Sequence, residues 1–162
     1  MPRSREVSAG LLVYRREPAL QVLLAHPGGP YWAKKDLGVW TIPKGLIEAG
    51  DDLLTTAKRE FIEETGLVVA GEFVALEPVR QTSGKLVHAF AIEADPELDA
   101  FKSNEFELEW PPKSAKRQRF PEVDRIAWFA IAEAEKKILG YQRPLLRELT
   151  VITGPARSAE SR

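Results

Sequence analysis

Gly45-Leu46-Ile47-Glu48-Ala49-Gly50-Asp51-Asp52-Leu53-Leu54-Thr55-Thr56-Ala57-Lys58-Arg59-Glu60-Phe61-Ile62-Glu63-Glu64-Thr65-Gly66-Leu67 reads as a loop, a helix and a helix stop. Asp51 and Asp52 precede a helix predicted to run to Glu64 or Thr65, so acidic side chains meet the positive end of the helix dipole. Gly66 then supplies the left-handed residue that closes many helices. At about 100° per residue, Glu60, Glu63 and Glu64 fall within an arc of about 100°, which puts three carboxylates on one edge. Leu53, Leu54, Ala57 and Phe61 lie mainly on the adjoining arc, so the helix can bury an apolar stripe while its acidic edge borders a cleft. Arg59 stands one turn before Glu63 and can orient it. Glu60 and Glu64 are also one turn apart; they repel by roughly a few tenths of a kcal/mol, and a divalent cation between them reverses that sign. Oxygen donors alone, with no cysteine in the chain and no histidine nearby, suit Mg²⁺ or Mn²⁺ rather than zinc. Three glutamates on a helix by themselves make an ordinary solvated face.

Outward from this helix, residues 7–14 and 20–25 are β-rich apolar runs with a polar turn between them, predicted as two strands. Residues 26–35 carry Gly and Pro among Tyr31, Trp32, Lys34 and Lys35, the composition of a loop. A short strand is expected at 39–42. Beyond the helix, 72–79 and 86–92 read as a hairpin about the turn at 81–84. In 104–110 Phe106, Leu108 and Trp110 alternate with Glu105, Glu107 and Glu109, after which Pro111-Pro112 opens a basic loop. A last strand at 126–130 and helical stretches at 131–139 and 142–149 follow. Strands dispersed around a mid-chain helix and a C-terminal helix imply an α+β layered fold with a mixed sheet.

The 162 residues, 44% of them apolar and with a net charge of -1, match one domain, expected to occupy 1–153 with a disordered tail at 154–162. A chain of this size hides roughly 68–70% of its unfolded surface, so neither disulfides nor a structural metal are needed. Without cysteines or an apolar run long enough to span a bilayer, it reads as a soluble, cytoplasmic protein with no membrane partner. Balanced charge gives no general drive toward nucleic acid, which disfavours RNA and leaves attraction of anions to local cations or a bound metal.

The 45–51 and 59–67 segments together resemble the Nudix box: a glycine, an acid six positions on, then R-E-U-x-E-E-x-G-U with U apolar. So many specified positions rarely coincide by chance. The resemblance implies an α/β/α sandwich with a central mixed sheet, the box helix and a C-terminal helix. It also implies Mg²⁺ or Mn²⁺ on Glu60, Glu63 and Glu64, and hydrolysis of a pyrophosphate bond in a nucleoside diphosphate linked to a second group. Arg59, Glu63 and Asp51 are then catalytic candidates. Asp51 stands where the family usually has Glu and, one methylene shorter, is expected to reach the site through water.

Hydrolysis of a phosphoanhydride needs charge neutralisation, an in-line water and a proton acceptor, which a metal and a carboxylate supply without a covalent intermediate. His26 and His88 have no triad or zinc spacing and read as structural or surface-lining. Glu122, six residues before Trp128, resembles the fourth carboxylate that several Nudix hydrolases bring from a loop opposite the box. Lys44 and Arg80 are candidates for phosphate contact, and Tyr31 and Trp32 for a wall that stacks on a base, whereas Trp40 reads as core. The basic run Lys113, Lys116, Arg117 and Arg119 reads as a solvated loop. The expected partner is a small nucleotide-like substrate, with dinucleoside polyphosphates favoured because the loop from 27 to 38 can wrap a longer molecule. A nucleotide-sensing or protein-binding module without turnover, and a hydrolase of RNA 5′ ends, are the alternatives.

Overall fold

β1 (Val7–Arg15) and β2 (Gln21–Pro27) are buried at nearly every position, as strands with both faces covered must be. They pair antiparallel, with Tyr14 opposite Val22. The computed structural model describes residues 6–154, so all but the first residue of the tail expected at 154–162 lies outside the described residues. On its other side β1 runs parallel to β6 (Leu86–Glu93) from Val7/Leu86 to Tyr14/Glu93, and its start also pairs with β3 (Lys44–Leu46). β4 (Val74–Ala75) and β5 (Val79–Arg80) edge β6, and β9 (Val123–Ala130) edges β2, completing a seven-stranded mixed sheet.

Alternation along β1 divides the core between the two faces. Ala9, Leu11 and Val13 pack with Ala57 and Phe61 of α1 (Leu53–Thr65). Leu12 and Tyr14 pack with Ala134 of α2 (Ile131–Lys137) and with Leu145, Leu146 and Leu149 of α3 (Arg143–Thr153). The result is the expected α/β/α sandwich. Among the described residues no helix is long and apolar enough to cross a membrane.

Three local expectations change. Residues 39–42 make only isolated bridges, Thr41 to Ala25 and Trp40 to Ile138, and the regular strand begins after Pro43 at Lys44. The predicted strand 72–79 is divided into β4 and β5, where Pro78 has no N–H for a ladder and the Glu77 N–H bonds Glu148 instead. The basic loop is partly a strand: β8 (Arg117–Pro121) pairs antiparallel with β7 (Glu105–Glu109) in a ribbon outside the main sheet. Arg119 and Arg117 pair with Glu105 and Glu107 at 2.9 and 3.1 Å, so cross-strand charge complementarity accounts for both the acidic alternation and the basic run.

Candidate active site

Asp52 caps α1 by accepting the Thr55 N–H at 2.7 Å, and Gly66 ends it at φ 73° with its N–H on the Ile62 carbonyl. With both ends fixed, the rotation of the helix is fixed, and its acidic edge faces β3. Glu60 lies so close to the β3 backbone that a Cβ on Gly45 would stand 2.1 Å from its carboxyl carbon, so glycine is what leaves room for that carboxylate. Glu64 accepts the Lys44 N–H at 3.3 Å.

Burial, reinforced by Glu63, raises the Glu60 pKa against the opposing pull of Arg59. Burial and the neighbouring Glu60 push Glu64 up to about 8, with Lys44 opposing and Glu122 adding to the rise. Lys44 is lowered by its own burial, which Glu64 counteracts and Lys85 reinforces. Glu122 therefore lies within electrostatic reach of both Glu60 and Glu64.

A chain of backbone hydrogen bonds delivers Glu122 there. The Asn104 N–H donates to the Glu63 carbonyl at 2.9 Å, the Glu122 N–H to the Asn104 carbonyl at 2.8 Å, and the Gly28 N–H to the Glu122 carbonyl at 2.9 Å. The box helix, the approach to β7, the start of β9 and the loop after β2 are thus linked in series.

Arg59 collects the remaining acids. It donates to Asp51 at 2.7 Å and lies 3.5 Å from Glu60, 3.6 Å from Glu63 and 4.0 Å from Glu48. Asp51 raises the guanidinium pKa further, which keeps Arg59 cationic. Asp51 is therefore directly paired with Arg59, the same guanidinium that lies beside Glu60 and Glu63.

The structure brings Lys44 to the carboxylates but gives Arg80 another task, since its guanidinium donates to Gly84 within the turn after β5. Tyr31 and Trp32 are 55% and 42% exposed in the loop after β2, whereas Trp40 is in the core at 3%. His26 is buried between Asp124 at 2.8 Å and the Lys35 carbonyl at 2.6 Å, a structural position. Sequence reasoning passed over Glu48, whose only signal is its place three residues before Asp51, and Gly45 as the cradle of Glu60.

Among the described residues no three acidic or histidine side chains close round a single point. The donor set nevertheless fits a hard divalent cation: the atoms are all oxygens, Glu60 and Glu64 are withdrawn from water, and their mutual repulsion is what a dication relieves.

The family described as NUDIX domain matches residues 4–149. The chain belongs to the NUDIX domain family. Over 79 residues this NUDIX domain is 34% identical to Nudix hydrolase 7 of Arabidopsis thaliana, covering 49% of the chain and 26% of that protein. Over 84 residues it is 30% identical to the RNA pyrophosphohydrolase of Caulobacter vibrioides, covering 49% and 45% respectively. The chain thus spans less than half the length of these relatives. In fold it resembles a C. elegans Ap4A hydrolase in a binary complex, with TM-score 0.61, 22% identity and 90% and 97% of the two chains covered. It also resembles the NUDIX domain of Shewanella oneidensis NrtR complexed with ADP ribose, with TM-score 0.64, 17% identity and 94% and 90% covered.

Proposed function

We propose that this NUDIX domain is a Mg²⁺- or Mn²⁺-dependent hydrolase of the pyrophosphate linkage in a nucleoside diphosphate joined to a second group, a nucleoside polyphosphate or dinucleoside polyphosphate. The proximity of Glu122 to the half-buried pair Glu60 and Glu64, beside Lys44, is the observation that carries this reading. Glu60, Glu63 and Glu64 would hold the cation. When bound, it would neutralise charge on the phosphate oxygens and acidify a water. Lys44 would bind a phosphate oxygen, and its ammonium charge faces Glu64 already. Glu122, exposed and anchored through its backbone, would orient the attacking water and take its proton, or serve as a fourth ligand. Asp51 would act by holding Arg59, which keeps Glu60 and Glu63 aligned.

Phosphate or pyrophosphate release from a panel of nucleoside triphosphates, sugar nucleotides, dinucleoside polyphosphates and 5′-triphosphorylated RNA, with and without Mg²⁺, tests the reading. Glu63→Gln and Glu64→Gln are expected to lower turnover roughly 100-fold or more in a domain that stays folded, because each removes a metal-binding charge. Full activity of either variant at saturating Mg²⁺ would remove that residue from the site. Glu122→Gln separates its two roles: as the base it lowers kcat at unchanged Mg²⁺ affinity, and as a ligand it is rescued by excess metal. A nucleotide-binding module is the second reading, favoured by Asp51, the shorter acid at the box position, which is engaged with Arg59. Tight binding of a panel member without turnover would establish it.

A further inference from the structure

Beside Glu122 the structure builds a second surface that the hydrolytic reading leaves unused. Gly28, bonded to Glu122, starts a loop in which Tyr31 comes three residues later, so its backbone lies within about 11 Å of Gly28. That loop meets β7 and the residue after it at two points. Gly29 sits against the Phe106 ring, 3.1 Å from where a Cβ would be, and Tyr31 meets Trp110 edge-on with ring centroids 5.1 Å apart. Trp32 carries the Lys35 ammonium 6.0 Å from its ring centre.

The ribbon's turn is held by its own hydrogen bonds. The Trp110 N–H donates to the Lys116 carbonyl at 2.9 Å, the Ala115 N–H to Glu109 at 2.8 Å, and Gln118 to the Trp110 carbonyl at 2.8 Å. Charge is distributed unevenly along the ribbon. Arg117 and Arg119 are matched by Glu107 and Glu105, whereas Lys113 and Lys116 at the turn, and Lys35 in the loop beside Trp32, have no carboxylate partner among the described residues. Two exposed aromatic rings, Tyr31 and Trp32, and the half-buried Trp110, interleaved with uncompensated ammonium groups, suit a planar base attached to a phosphate.

We propose that Tyr31, Trp32 and Trp110, with Lys35, Lys113 and Lys116, form a subsite for the second nucleoside of a dinucleoside polyphosphate, the part of the substrate beyond the bond to be cut. The inference rests on the hydrolase reading of the neighbouring carboxylates and specifies its substrate. The distal base stacks on Trp110, whose ring Tyr31 holds edge-on, and the lysines face the phosphates on its side of the cleavage point. A nucleoside triphosphate ends before this surface and makes no use of it.

Steady-state kinetics with diadenosine tetraphosphate and with ATP, in Mg²⁺, compares the wild type with Trp110→Ala, Trp110→Phe and the double variant Lys113→Glu/Lys116→Glu. The expected result for Trp110→Ala is a rise in KM for the dinucleotide of roughly five- to a hundredfold, the range one lost base stack produces. Its kcat and the ATP kinetics stay unchanged, and Trp110→Phe retains most of the wild-type affinity. The double lysine variant changes only exposed side chains, so it keeps the test informative if Trp110→Ala unfolds, and it is expected to raise the same KM. Equal losses with both substrates would make Trp110 a packing residue, and no loss with either would leave the surface without a ligand; both overturn the proposal. A dependence on the lysines seen with 5′-triphosphorylated RNA but not with the dinucleotide would also overturn it, in favour of RNA. If the wild type cleaves neither substrate, the hydrolase reading has failed separately. Calorimetric Kd values for diadenosine tetraphosphate and ATP in Mg²⁺ then decide the subsite: it stands if Trp110→Ala weakens only the dinucleotide, and falls if it does not.

Discussion

Glu64 has both its charge and its surroundings set against ionisation: it is withdrawn from water, Glu60 is beside it, and Lys44 compensates only in part. Its pKa of about 8 in the fold exceeds the ordinary 4.5, so the folded state holds a proton that the unfolded chain releases. The stability from that proton is complete below about pH 4.5 and is lost as pH rises through about 8. Glu60 acts in the same direction, while Lys44, lowered from 10.5, acts with opposite sign toward alkaline pH. In EDTA, the wild type is therefore expected to melt lower at pH 8 than at pH 5.5. Glu64→Gln should flatten part of that fall and raise the pH 8 midpoint by about a few degrees. A variant no more stable than wild type at pH 8 would mean that the Glu64 carboxylate is solvated and ordinary. Spacing alone located Glu60, Glu63 and Glu64 on one edge because helical periodicity is local, but it could not tell that Glu60 and Glu64 are half-buried while Glu63 is exposed. Nor could it tell that Asp51 ends on Arg59, since that depends on how the loop at 45–52 folds back over the helix.

At the scale of elements, α1 depends on its stop as much as on its apolar stripe. Gly66 is at φ 73°, and a Cβ there would stand 2.9 Å from the Lys102 carbonyl oxygen and 3.1 Å from the Lys102 nitrogen. The Lys102 N–H in turn donates to the Thr65 carbonyl at 2.9 Å, so the clash falls on the segment leading to Asn104 and Glu122. For Gly66→Ala the left-handed backbone alone costs roughly 1–2 kcal/mol, and the contact adds to it. A fall in melting temperature of about 4–8 °C is expected, with activity lost through Glu122 rather than through the box carboxylates. A melting temperature within a degree of wild type would show that the segment shifts freely. The caps of α1 were readable because an aspartate before the helix and a glycine after it act on adjacent residues. β8 was not, because Arg117 and Arg119 become a strand only by facing Glu107 and Glu105 across a turn, a pairing with no fixed spacing. The expected strand at 39–42 failed for a related reason: the Trp40 N–H and carbonyl bond Lys137 and Leu139 at the end of α2, and only the assembled fold brings those together.

Across the whole molecule, the two layers of helix are connected at the site by one buried amide. Gln142, fully buried just before α3, accepts the Ile42 N–H at 3.1 Å and donates to the Thr41 hydroxyl at 2.9 Å and the Tyr141 hydroxyl at 3.0 Å. Ile42 leads through Pro43 into Lys44, whose N–H reaches Glu64 on the opposite face of the sheet. The C-terminal helix therefore fixes the height at which Lys44 meets the box helix, although α3 itself contributes no side chain to the acidic edge. Gln142→Leu keeps the bulk of the side chain but leaves the Ile42 N–H buried without a partner, at a cost of about 1–3 kcal/mol. The variant is expected to melt several degrees lower and to lose hydrogen-exchange protection at Ile42 while α1 amides remain protected. Because Lys44 shifts and the carboxylates do not, the catalytic loss should be mainly in KM, with kcat and Mg²⁺ affinity close to wild type. Retained protection at Ile42 would show that β1 and β2 hold this segment without the glutamine, and a loss confined to kcat would show that the disturbance reaches Glu64 rather than stopping at Lys44.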